Sequence, residues 1–347
     1  MRALVVEAFG VLPWVREVPD RRAPDGAVVV DVVATGLCRS DWHAFAGHDP
    51  DVLLPHVPGH EFAGTVRSVG HGVHNARVGQ RVLAPFVLAC GECGPCLAGQ
   101  QQVCAWQLQP GFTRWGSFAE QVVVERAAVN LVHVPDGVEL STAAVLGCRF
   151  ATAFRALAVV ARLRAGERVA VHGCGGVGLS AVMIAVALGA RPVAVDVSRQ
   201  ALDLAVEFGA EAAIDASGHS WEVVATAVRD VSDGGVQVSV DALGSDATCA
   251  ASLAGLRPRG RHVQVGLLPP GLGFPRVPLH LVIAGELEFL GSHGMAAHAY
   301  PELLGLVESG RLHPERLITS TIGLEQAGHA LAAMGDSARP GVCLIRP

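Results

Sequence analysis

The chain has 347 residues, half of them apolar and 17% charged, which predicts about two domains, each large enough to bury its own core, and excludes disorder. All 26 basic residues are arginine, so a Schiff-base lysine, a phosphate-loop lysine and a Tyr/Lys proton-transfer pair are excluded; Tyr300 is the only tyrosine. A net charge of −6, with no arginine-rich stripe interleaved with aromatics, argues against a nucleic-acid partner.

Met1 to Gly10 carries Glu7 and no long apolar core, and the longest apolar stretch, near Gly178 to Ala190, is too short to span a bilayer. A cytoplasmic protein with no membrane partner is the expectation. Nine cysteines, an odd number in a chain of this size, argue against a secreted disulfide scaffold and for metal ligation. From Ala27 to Pro135 short β-branched runs are broken by Gly and Pro, predicting strands at Ala27–Gly36, Glu61–Gly70, Arg81–Phe86, Ser117–Glu125 and Leu131–Pro135 in an antiparallel, barrel-like domain.

Ser141 to Arg164 is Ala/Leu-rich with helical spacing. From Arg168 onward strands alternate with helices, the pattern of a parallel sheet. Six strands are expected, at Val169–Gly173, Pro192–Asp196, Ala212–Asp215, Gln237–Asp241, Arg261–Gly266 and Leu287–Gly291. Helices at Ser198–Phe208, Trp221–Val231 and Asp246–Leu256 intervene, with Ser198 and Asp246 as N-caps. These make a six-stranded doubly wound unit. The tail from Ala296 is helical, then ends in a strand at Val342–Ile345 that is expected to return to the first domain.

Cys90, Cys93, Cys96 and Cys104 follow one another at spacings of three, three and eight, with Gly91 and Gly94 in the turn. Four thiolates in this pattern suit tetrahedral Zn²⁺, and because protein fills every position the metal would be structural. An iron–sulfur cluster is the other use of the same set. A second, open site is suggested by Cys38, in Cys38-Arg-Ser-Asp-Trp-His43, and His60, in Gly59-His60-Glu61. A catalytic zinc needs three protein ligands and an exchangeable fourth position, and Cys148 is the candidate third.

Gly173-Cys-Gly175-Gly176-Val177-Gly178 follows an apolar strand and opens a helix, the context in which G-x-G-x-x-G brings a pyrophosphate to a helix N-terminus. Asp196, 18 residues after Gly178, ends the next strand, where a carboxylate accepts from ribose hydroxyls and repels a 2′-phosphate. NAD is therefore expected over NADP, although Arg199 could attract phosphate.

Taken together, these motifs resemble the zinc-dependent alcohol dehydrogenases of the medium-chain dehydrogenase/reductase family over essentially the whole length. The resemblance implies a discontinuous GroES-like β-barrel catalytic domain, residues 1–149 and 289–347, and a Rossmann NAD-binding domain, residues 150–288. It implies two zinc ions per chain, a catalytic one on Cys38, His60 and Cys148 and a structural one on the four-cysteine loop. Further roles follow from it: Glu61 as an acid beside the metal, Asp41 as the carboxylate orienting the ligand imidazole, and Ser40 and His43 as a proton relay. Arg39 and Arg339 would contact the cofactor pyrophosphate. Phe86 matches a pocket aromatic, and Trp115, Phe45 and Leu267 are further pocket candidates.

The implied activity is NAD-linked interconversion of alcohols with aldehydes or ketones. A polyol or sugar dehydrogenase, a reductase of activated double bonds and a catalytically silent structural member are the alternatives. The short segment between Cys104 and Ser117 resembles microbial tetrameric members, so a homo-oligomer is expected, a tetramer before a dimer.

Overall fold

The computed structural model describes residues 1–268, 275–335 and 340–347, and divides into two compact units: Met1–Ala151 with Gly294–Pro347, and Thr152–His293. The first contains a seven-stranded sheet. Along its main path run Ile318–Gly323, Val342–Arg346, Val28–Leu37, Phe62–Val69, Arg81–Leu83 and Val132–His133, and Gln121–Val124 also pairs with Val28–Leu37. Val28, Val29 and Val30 are all wholly buried, as suits a strand covered on both faces. The C-terminal Val342–Arg346 strand pairs antiparallel with Val28–Leu37 through Cys343↔Leu37. Its parallel neighbour, Ile318–Gly323, carries no strong alternation and was not foreseen.

The predicted strand at Ser117–Glu125 is regular only over Gln121–Val124. Its first residues are drawn instead into backbone bonds with the turn before His60: Ser117 N–H donates to Gly59 O at 2.9 Å and Phe118 N–H to Pro58 O at 2.9 Å. The stretch Ser141–Arg164 is likewise not one continuous helix. An α-turn at Leu140–Ala144 gives way to wide π-type turns at Leu146–Phe150 and Arg155–Val160, with Ala151–Phe154 between.

The second unit is a parallel six-stranded sheet in the order Ala212–Asp215, Arg191–Asp196, Arg168–His172, Val236–Asp241, Leu256–Gln264, Glu288–Gly291. The chain order reverses at Arg168–His172, which is where a doubly wound sheet opens its ligand crevice. The unit extends past the expected residue 288, to His293, because Glu288–Gly291 pairs with Leu256–Gln264 as the sixth strand. Ser198 caps its helix as expected. The cap of Asp246–Ala254 is Ser245, not Asp246: Ser245 Oγ accepts the Thr248 N–H at 3.1 Å, so Asp246 falls in the first turn, where a carboxylate also suits the helix dipole.

Candidate metal centre and dinucleotide site

Cys38 follows Val28–Leu37 and sits at the start of the Arg39–Phe45 helix. Glu61, next to His60, immediately precedes the Phe62–Val69 strand that pairs with Val28–Leu37, and Gly36 N–H donates to Glu61 O at 2.7 Å, so register places the two candidate ligands side by side. Cys148 arrives in the widened turn at Leu146–Phe150; such turns interrupt helices frequently at functional sites. The ligand atoms of Cys38, His60 and Cys148 all lie within 4.8 Å of one another.

His60 Nδ1 bonds Asp41 Oδ1 at 2.8 Å, and Asp41 also accepts from Cys38 N at 2.9 Å and Gly59 N at 3.1 Å. With Nδ1 carrying the proton to Asp41, Nε2 presents its lone pair, and that buried atom has no hydrogen-bond partner among the described residues. A buried imidazole nitrogen left without a partner costs free energy, and a cation held jointly with two sulfurs would remove the cost. The Cys38 thiol is held well below its ordinary value, first by the hydrogen bond from Cys148 and then, against burial, by the Arg149 charge. The donor set therefore fits zinc.

Glu61 and Arg149 tie the three ligands together. Glu61 Oε1 accepts the N–H groups of Cys148 at 3.2 Å and Arg149 at 3.0 Å, its Oε2 meets Arg149 Nη1 at 2.9 Å, and Arg149 Nη2 donates to Leu37 O at 2.7 Å. Burial pushes the Glu61 carboxyl up to about 7 even against Arg149. A Cβ on Gly36 would stand 2.6 Å from Glu61 Oε2, so glycine is required beside the pair. The role of Arg149 was missed. A charged residue inside the apolar run Ala143–Phe150 was the available signal, since a buried guanidinium demands an acid.

Ser40 and His43 lie on the Arg39–Phe45 helix, and His43 Nδ1 is 3.1 Å from His48 Nδ1, a partner that spacing did not suggest. Partial burial, then the Arg39 and His48 charges, lower the His43 pKa. Arg39 stacks on Trp42, its Cζ 4.2 Å from the ring centre, and donates to the Met334 carbonyl. Arg339 lies outside the described residues.

Of the pocket candidates, Phe86 is beside the centre, 6.2 Å between its ring centre and that of His60. Phe112, which was missed, is nearer at 5.2 Å. Phe45 is a correction: it is buried with Leu4, Val57, Phe118 and Leu324, so it belongs to the core and not to a pocket wall. Trp115 donates its indole N–H to Pro55 O at 3.0 Å and faces Arg21, in a separate cavity described below. Leu267 is in the other unit and 79% exposed.

The four cysteines at 90, 93, 96 and 104 also converge within 4.8 Å. Backbone N–H groups already point at the sulfurs: Cys93 N to Cys90 Sγ, Cys90 N to Cys104 Sγ and Trp106 N to Cys104 Sγ, each 3.3 Å. Such donors favour thiolates, and those on Cys93 bring its pKa down to about 6. Asn130 anchors the loop by accepting from Ala89 N at 2.8 Å and donating to Ala89 O at 3.0 Å.

In the second unit, Arg168–His172 runs into Gly173 and the helix Gly176–Ala187, whose second residue is Val177; Gly175 is its N-cap. A Cβ on Gly178 would lie 1.8 Å from Gly173 O, so this helix packs against its own turn only with glycine there. Asp196 Oδ2 accepts the Cys174 N–H at 2.5 Å and Oδ1 the Ser198 N–H at 2.8 Å, which fixes the carboxylate beside the glycine turn. Arg199 is 82% exposed and paired with Asp203 at 3.0 Å. A cavity of about 300 Å³ is lined by Gly173, Asp196, Trp221, Leu243 and Thr248 among others. Asp241, unforeseen, braces its rim by accepting from Leu243 N at 3.0 Å, Gly244 N at 2.9 Å and Thr248 Oγ1 at 3.0 Å.

The sequence matches the alcohol dehydrogenase GroES-like domain over residues 24–136 and the zinc-binding dehydrogenase domain over residues 176–309. An alcohol dehydrogenase of Geobacillus stearothermophilus is 36% identical over 299 residues, 84% of each chain. An acryloyl-coenzyme A reductase of Sulfurisphaera tokodaii is 27% identical over 350 residues, the full length of both. The solved structure of alcohol dehydrogenase TADH from Thermus sp. ATN1 superposes with a TM-score of 0.90 at 33% identity, covering 100% of this chain and 99% of that one. A two-unit oxidoreductase with a four-cysteine loop and a Cys/His/Cys centre is the class defined by these features. The chain belongs to the zinc-type alcohol dehydrogenases of the medium-chain dehydrogenase/reductase family.

Proposed function

We propose that the chain is an NAD-linked alcohol dehydrogenase with a catalytic zinc on Cys38, His60 and Cys148 and a structural zinc on the four-cysteine loop. The observation that carries this reading is the buried, partnerless His60 Nε2 facing two cysteine sulfurs that belong to other segments. When bound, zinc supplies Lewis acidity that polarises a substrate oxygen and lowers the pKa of an alcohol. Asp41 keeps His60 in the tautomer that can ligate, and the Glu61–Arg149 pair fixes the Cys148 turn without competing for the site. Ser40 and His43 are assigned the outward movement of the alcohol proton, and the lowered His43 pKa favours the uncharged imidazole, the form that accepts a proton.

Asp196, pinned by Cys174 and Ser198, is assigned the ribose hydroxyls of NAD, and the pairing of Arg199 with Asp203 weakens its claim on a 2′-phosphate. Gly173, Gly175, Gly176, Val177 and Gly178 are assigned the pyrophosphate turn, with Arg39 as a further contact. Phe86 and Phe112 beside His60 favour a neutral alcohol or carbonyl with an apolar or aromatic body. Glu288–Gly291 is the sheet's edge, and the preceding helix, Leu279–Gly285, buries none of its residues and exposes Leu279 and Ile283. An edge strand beside an apolar helix supports a homo-oligomer. Among the described residues no helix is long and apolar enough to cross a membrane, and the cytoplasm remains our assignment.

A panel of primary, secondary and polyhydric alcohols, with the matching aldehydes, ketones and activated alkenes, tests this with both NAD and NADP cofactors. Alcohol oxidation with NAD that disappears in Cys38→Ala while the far-UV circular dichroism is retained supports the proposal. Reduction of alkenes without carbonyl reduction, or undiminished turnover in Cys38→Ala, overturns it.

A further inference from the structure

A cavity of about 660 Å³ in the first unit is lined by residues of which none is a candidate metal ligand. Leu53, Leu54, Phe112 and Trp115 are among its apolar lining, and Arg21, Arg22 and Arg114 also line it. The cavity's carboxylates are already matched. Glu125 takes Arg114 Nε through both oxygens, at 3.1 and 3.3 Å. Asp20 meets the Met1 ammonium at 2.8 Å and Arg67 at 3.5 Å. Two positive charges, on Arg21 and Arg22, therefore have no acidic partner among the described residues.

Arg21 is the more telling of the two. It is half-buried, its Cζ lies 4.4 Å from the Trp115 ring centre, and the only influence on its pKa is burial, which lowers it. A guanidinium partly withdrawn from water without a counter-charge is costly, whereas one stacked on an indole is pre-organised to give a carboxylate two parallel hydrogen bonds. The aromatic and leucine lining would meanwhile take the flat apolar body of the same molecule. We propose that this cleft binds a planar, apolar carboxylate, with Arg21 on the carboxylate and Trp115 and Phe112 against its ring. The Phe112 ring centre also lies 5.2 Å from that of His60. This site is additional to the dehydrogenase reading and does not depend on it.

The test is calorimetric titration of the zinc-loaded protein with 2-naphthoate and with its uncharged isostere 2-naphthamide. The expected result is one naphthoate per chain, with naphthamide weaker by about tenfold or more, the value of a charge-assisted bond. Arg21→Gln should remove this preference, leaving the weak naphthamide binding as it was. Arg21→Lys, which keeps the cation, should retain part of the preference, and serves if Arg21→Gln does not fold. No naphthoate binding, equal binding of the two compounds, or naphthoate binding unchanged in Arg21→Gln overturns the proposal; the last outcome would put the ligand elsewhere, such as the apolar surroundings of His60.

Discussion

Asp41→Asn isolates the contribution of a single charge to metal binding. The wild-type carboxylate is wholly buried and accepts three bonds, from His60 Nδ1, Gly59 N and Cys38 N, at 2.8, 3.1 and 2.9 Å. An asparagine can place its oxygen where Oδ1 serves His60 and Gly59, but its NH2 then faces the Cys38 N–H, donor against donor. The Cys38 N–H loses its acceptor and the asparagine NH2 finds none there, and each buried donor left unsatisfied costs about 1 to 3 kcal/mol. The imidazole also loses the anion that makes its free nitrogen more basic, and replacing such a partner costs about 10- to 100-fold in metal affinity, or about 1.4 to 2.7 kcal/mol. Zinc retention against a graded chelator, followed by elemental analysis and thermal melting, is the assay. The variant is expected to release the Cys38/His60/Cys148 metal at lower chelator concentration while the four-cysteine metal stays. Equal retention of both metals in Asp41→Asn and wild type would refute the assigned role of Asp41.

Two further outcomes are expected in the second unit. Gly178→Ala forces a methyl to within 1.8 Å of Gly173 O, so the glycine turn must shift, and NADH fluorescence titration should show binding lost or severely weakened. Wild-type affinity in that variant would contradict the assignment of the turn to the cofactor. His172 and His262 are buried and their pKa values lie at about 4, each mainly through burial. The unfolded chain, with histidine near 6.5, binds more protons between pH 6.5 and 4, so stability is complete above that window and falls as the pH drops through it, by about 3 kcal/mol at most for each group. Denaturant unfolding of His172→Leu should therefore show a shallower fall from pH 6.5 to 4.5 than wild type; identical slopes would remove His172 from the acid response.

The legible parts of the site were those written in contiguous sequence. The spacing of Cys90, Cys93, Cys96 and Cys104 and the glycine turn at 173–178 declare their chemistry because a local turn alone positions them. Residues whose function depends on a partner far along the chain were harder to read. Glu61 was expected as an acid beside a catalytic metal on the resemblance alone, but its grip on the amides of Cys148 and Arg149 comes from 87 and 88 positions away. That grip accompanies the widened turn at Leu146–Phe150, which an Ala/Leu-rich composition reads as continuous helix. Phe45 was misread because pocket and core present the same signal, an aromatic on a helix near a ligand; only the contacts with Leu4 and Phe118 distinguish them. Phe112 and the Arg21 stack on Trp115 were invisible for the same reason, since both arise where segments distant in sequence converge.

The central claim is that Cys38, His60 and Cys148 hold one metal ion apart from the four-cysteine loop. Anomalous diffraction at the zinc edge, from crystals of protein purified without chelator, measures it directly. Two peaks per chain are expected, one enclosed by the four cysteine sulfurs and one within bonding distance of Cys38 Sγ, His60 Nε2 and Cys148 Sγ. A single peak, confined to the four-cysteine loop of protein that still oxidises alcohols, would contradict the claim.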